Sequence, residues 1–247
     1  MAALSALTKM QAKVFLREPL AVFFGLVFPA LLLVVIGTVF PDATDPTADF
    51  DGRSLVEVYA PVSIVLGLTT MAITLLPAAL GADRERGVLR RLSTTPVHPR
   101  VLVAARLLVQ LAAVTCATVA AVLMGMLVFD LPFPERIVWF VVAFVLAAVA
   151  LLGIGLLVGA VVPTATAGQS VGMLLFFPLL FFAGVYVPMP VMPDGVQTVS
   201  GFTPAGAAVE ALSDSWGGSI PATSDLLVMV TYAVVAGVLA VRLFRWE

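Results

Sequence analysis

Residues 20–40 read LAVFFGLVFPALLLVVIGTVF, without a charge, directly after the pair Glu18-Pro19. At 1.5 Å of helical rise per residue such a run crosses a hydrocarbon core of about 30 Å. Five further runs have the same character, at about residues 58–82, 106–129, 137–162, 170–187 and 226–241. Across all 247 residues, 61% are hydrophobic and 11% charged, and mean hydropathy is +1.12. Soluble domains hold roughly 25% charged residues. The chain therefore reads as an all-α integral membrane protein with six spans, one domain from residue 1 to 247. Pro61, Pro77 and Pro178 fall inside the runs, where neighbouring helices, hydroxyls or water satisfy the freed carbonyls.

Loop charge sets the orientation. Six spans place both termini on one side, and that side holds eleven of the 13 basic residues, leaving Arg53 and Arg136 opposite. The acidic residues lean the other way, with Asp42, Asp45, Asp49, Glu57, Glu135, Glu210 and Asp214 among those on the far side. Short cytoplasmic loops collect Lys and Arg, so the termini are expected in the cytoplasm of a plasma membrane. The Ala, Val and Arg bias suggests a bacterium with a GC-rich genome.

The first apolar run is longer than a signal-peptide core and is expected to be retained. Residues 3–18 before it read as an amphipathic helix lying on the inner leaflet, with Leu4, Leu7, Val14 and Phe15 on one face and Thr8, Lys9, Lys13 and Arg17 near the other. Basic residues there meet anionic headgroups, which makes membrane lipids one expected partner. Cys116, the only cysteine, excludes an internal disulfide and reads as a packing residue.

The largest loop on the basic side begins DRERGVLRRLSTTPVHPR, residues 83–100. Val88, Leu89 and Leu92 recur at helical spacing with Arg90 and Arg91 between them, and Pro96 and Pro99 end the pattern. By its residues the segment is either a solvated connector or a short helix offering apolar knobs and arginines to a soluble partner.

The string DRERGVLRRLSTTPVHPRVLVAARLL, residues 83–108, resembles the cytoplasmic-loop signature of permease subunits of ATP-binding cassette exporters of the second export type, the group of daunorubicin, nodulation-factor and polysaccharide exporters with the type V fold. A second stretch, FFAGVYVPMPVMPDGVQTVSGFTPAGAAVEAL at residues 181–212, resembles the segment that follows the fifth span in that family. The first resemblance implies a coupling helix seated in a nucleotide-binding subunit, with Glu85, Arg86, Val88, Leu89, Arg90, Arg91 and Leu92 as docking residues. Apolar anchors suit such a joint because they supply affinity, while charges fix partner and register. The second implies re-entrant half-helices on the outer side, with arms at about residues 191–199 and 204–212. The family works as a permease dimer, so a second copy or a similar permease is an expected partner, and nucleic acid is not.

Enzyme chemistry is nearly absent. His98, the only histidine, stands between Pro96 and Pro99 in the loop, so no histidine metal cluster can form in the spans. No G-x-x-x-x-G-K-[ST] occurs, so this chain is expected to bind no cofactor and its ATP and Mg²⁺ to reside on a separate subunit. Gly155 with Gly159, and Gly168 with Gly172, fit the G-x-x-x-G pattern of close helix approach, read first as packing within one subunit. A path of Leu, Val, Ala and Phe suits a lipophilic or amphiphilic substrate, a drug, a lipid or a lipid-linked glycan, with Phe176, Phe177, Phe181 and Phe182 as candidate lining. A secondary transporter or channel is the alternative, and a non-transporting assembly protein a further one. The former usually carries ionisable groups within its spans, and none occupies the middle of these six.

Overall fold

A computed structural model describes residues 2–50, 52–88 and 99–244. Among them every regular element is helical, and six helices are long and apolar enough to cross a membrane. Helix α1 spans Ala2–Leu16, and the first span, α2, runs over Pro19–Val39. The second span joins α3 (Leu55–Thr69) to α4 (Leu76–Glu85) through a widened π turn at Thr70–Leu75. Then come α5 (Pro99–Phe129), α6 (Ile137–Val161), α7 (Ala165–Phe182), the short pair α8 (Asp194–Gly201) and α9 (Pro204–Trp216), and α10 (Thr223–Leu243).

The fourth span matches its expected bounds to one residue. The third begins at Pro99 rather than near residue 106, because a proline tolerated in a first helical turn starts the helix instead of preceding it. The fifth begins earlier than residue 170, since the Thr164 hydroxyl accepts the Ala167 amide at 3.2 Å and caps α7 there. It also ends earlier, at Phe182, followed by Gly184 at φ +80°, a conformation that closes helices and favours glycine.

The second span is the hub. Its most apolar window is 78% buried against 17% for the fifth and sixth spans, and every residue from 58 to 73 is buried. The capping box Ser54/Glu57 starts it, with Ser54 N–H donating to Glu57 Oε2 at 2.7 Å and Glu57 N–H to Ser54 Oγ at 3.2 Å. At mid-depth the chain widens where Pro77, lacking an N–H, leaves the Ile73 carbonyl without its helical donor. An equivalent widened turn, Phe23–Val27, stands before Pro29 in α2. The two turns face each other: a Cβ added to Gly25 would strike the Met71 side chain.

Both small-residue motifs serve this hub. Gly155 lies against the Ala72 carbonyl, Gly159 against Leu80, Gly168 against the Pro77 carbonyl and Gly172 against the Ile73 carbonyl. Only a hydrogen on Cα lets α6 and α7 come so near the second-span backbone. All four glycines thus pack inside the chain.

The described ends of the chain and the entrance to residues 89–98 lie at one end of the bundle, called here the loop end. Helix α1 packs along α5, with Gln11 buried and Leu4, Leu7 and Phe15 half-buried. Val14, expected on that face, is 42% exposed, and Gln11 is buried instead. The distal end is tied by Trp216 Nε1–H donating to the Pro132 carbonyl at 2.9 Å and by Arg53 Nη1–H donating to Ser213 Oγ at 2.6 Å. Here lie the two short helices α8 and α9, Asp194–Gly201 and Pro204–Trp216, where arms are expected at about residues 191–199 and 204–212.

Candidate functional site

The acidic-basic cluster at the end of the second span is where sequence and geometry converge. Helix α4 ends at Glu85; Gly87, at φ +65° with its N–H donating to the Arg84 carbonyl at 2.9 Å, turns the chain out of the helix. Successive residues of a helix point about 100° apart. Asp83, Arg84 and Glu85 therefore reach three different neighbours.

Asp83 turns to α5, its Oδ2 3.2 Å from Arg106 Nη1, while Arg106 Nη2 donates to Gln11 Oε1 of α1 at 3.0 Å. Arg84 turns to the last turn of α6. Its guanidinium donates to the carbonyls of Gly159 at 3.2 Å, Ala160 at 3.1 Å and Val162, and lies 5.8 Å from the Phe244 ring centroid. Terminal carbonyls have no partner within their own helix and form the negative end of its dipole, so a forked cation fits them. Glu85 turns to the start of α7, where its Oε2 accepts the Ala165 N–H at 3.3 Å at the positive end of that helix. Gly81 completes the contact, lying against the Thr164 carbonyl. Three consecutive side chains clamp the second span to the third, fourth and fifth.

Of the residues expected to dock a partner, Glu85 and Arg86 are both exposed, Glu85 with its Oε2 on the Ala165 amide, and Val88 is half-buried. Leu89, Arg90, Arg91 and Leu92 lie outside the described residues. Asp83, Arg84, Arg106 and Gln11 are members that sequence reasoning missed. The available signal was Arg106 and Gln110, four residues apart, at the start of an otherwise apolar span.

The four phenylalanines stand elsewhere. Phe177 and Phe181 are exposed on α7, Phe176 and Phe182 are half-buried, and the pairs Phe176/Phe177 and Phe181/Phe182 stack edge to face at 5.8 and 5.4 Å. At the distal end, burial pushes the Glu210 carboxyl up from its ordinary value; Asp214 and Asp225 add to this and Arg53 opposes it. Burial likewise raises Asp214. Among the described residues no group of three or more His, Cys, Asp or Glu is placed to hold a metal ion.

Six apolar helices in an all-helical fold define a multi-pass membrane protein. The sequence model described as ABC-2 type transporter matches residues 2–215, and the chain belongs to that family. No curated protein matches it.

Proposed function

We propose that this chain is the membrane subunit of an ATP-driven exporter, with ATP and Mg²⁺ bound by a separate nucleotide-binding subunit that docks on the loop at residues 86–98. The observation that carries this reading is the clamp of Asp83, Arg84 and Glu85. A loop on a lone helix would move only that helix. Here a displacement delivered at Arg86 reaches α5, α6 and α7 together, because each is tied within three residues of the loop. Packed networks with few loose joints carry such displacements over distance.

In the same reading the loop end is cytoplasmic, α1 lies in the inner interface, and α8 and α9 dip into the outer leaflet. The irregular backbone between those arms is covered: the Ser200 hydroxyl donates to the Phe182 carbonyl, and the Thr203 hydroxyl accepts the Gly206 N–H at 3.0 Å. Two permeases, identical or similar, enclose a path for a lipophilic or amphiphilic substrate, and the exposed face of α7 with Phe177 and Phe181 is the surface offered to it.

A pull-down of the tagged protein from its native membrane in mild detergent tests the reading. A P-loop ATPase is expected in the eluate and is expected to be lost with Leu89→Asp. An intact preparation without an ATPase overturns the proposal.

A further inference from the structure

Gln169 is exposed on α7, four residues past the helix start at Ala165, and Ser170 beside it is exposed as well. Neither side chain has a hydrogen bond among the described residues. Exposed hydroxyls in other spans do have one: Thr115 donates to the Leu111 carbonyl and Thr231 to the Leu227 carbonyl, each at 2.7 Å. The Gln169 amide, with two N–H donors and an acceptor oxygen, is thus the larger open polar group on this helix.

Its depth follows from its neighbour in the chain. Gly168 lies against the Pro77 carbonyl, and Pro77 stands six residues from Asp83 along α4. Six residues of helix rise about 9 Å, so Gln169 lies about that far inside the layer of Asp83 and Arg106. With 18 residues, α7 is the shortest of the six spans and the least apolar. At about 27 Å it has no turn to spare outside a hydrocarbon core of about 30 Å. Lipid tails at that depth offer an amide neither donor nor acceptor, so this part of the face calls for a polar partner from protein.

We propose that a second copy of this chain covers it, with the two α7 faces meeting about a two-fold axis that brings the two Gln169 amides together. An amide both donates and accepts, so it is its own complement, and a two-fold interface matches a patch with itself. The Ser170 hydroxyl has the same property. A single polar residue in an apolar helix pair also sets register, because any slip leaves it unpaired. Met173, Phe177 and Phe181 continue the same exposed face at four-residue intervals. The face thereby divides: its amide half joins the copies, and its phenylalanine half is left to the path between them. The assignment rests on the paired permeases of the proposed function and names the residue that fixes their register.

The test uses the full chain in its native membrane with Cys116→Ala, which removes the one cysteine. In that background Met173→Cys, which keeps the amide, is expected to give a disulfide-linked homodimer on mild oxidation. Val234→Cys, equally open but on α10, is expected to give none. Native mass spectrometry of the cysteine-free chain in detergent then reads the dimer dissociation constant, expected to rise about tenfold in Gln169→Leu and less in Gln169→Asn, which keeps an amide. An unchanged constant in Gln169→Leu overturns the role of the amide. A dimer linked through Val234→Cys instead of Met173→Cys, or a Met173→Cys product that contains a different permease, overturns this interface and leaves paired permeases standing. A monomer in every variant overturns both.

Discussion

Asp83 and Arg106 meet 3.2 Å apart with 13% and 12% of their side chains exposed, and this is the one ion pair among the described residues. Both charges are removed from water, so their attraction offsets a desolvation cost instead of adding free stability. Losing one partner is then worse than losing both. Arg106→Met is expected to destabilise by about 3–5 kcal/mol, and Asp83→Leu/Arg106→Met by clearly less. Unfolding of Arg106→Met, Asp83→Leu and the double variant in detergent checks this; a double variant as unstable as the sum of the two singles would refute it.

Arg84 is held by geometry as much as by charge, since its two terminal nitrogens serve three carbonyls of α6. Arg84→Lys keeps the charge but replaces a planar fork with a point. On the proposed reading, export is expected to fall about tenfold while an ATPase still co-purifies. Loss of co-purification would place Arg84 on the docking surface itself.

Gly155→Val should separate α6 from the second span, because its Cβ would strike the Ala72 carbonyl, which cannot rotate aside. Overpacking of this kind costs about 1–3 kcal/mol. Gly237 has nothing within 4 Å of the corresponding position. Gly237→Ala should be neutral or stabilise by about 0.5–1 kcal/mol through helix propensity, as thermal unfolding of the two variants would report.

Glu210 gives a pH dependence. Burial raises its folded-state pKa, so the folded protein holds a proton that the unfolded chain has already released. Stability is then highest below the ordinary glutamate value and falls as pH rises from there through the raised folded value. Glu210→Gln should flatten that part of the curve, and a slope identical to wild type would assign it to other carboxylates such as Asp214, whose shift has the same sign.

The six spans were legible because charge is intolerable in hydrocarbon, and the G-x-x-x-G pairs because close helix approach has few alternatives. Arg84 and Glu85 were not. In the sequence they belong to a charged loop, and only the positions of the α6 carbonyls and the Ala165 amide turn them inward. Gln11 was assigned to neither face of the N-terminal helix, because only a buried arginine on another helix gives its amide a place. The start of α7 was readable in principle, from Pro163 and the capping Thr164.

The two widened turns have a mechanical meaning. Thr70–Leu75 and Phe23–Val27 oppose each other through Met71 and Gly25, each just ahead of a proline that removes a backbone donor. Two neighbouring rods weakened at one depth form a common pivot. Below it, the lower half of the second span is bolted to α5, α6 and α7 by Asp83, Arg84 and Glu85; above it, the upper half is tied by Tyr59, whose hydroxyl donates to the Val185 carbonyl at 3.3 Å. On the proposed reading, a push at the loop end would tilt these helices about that pivot where straight rods would slide, and the far side of the membrane would receive rotation.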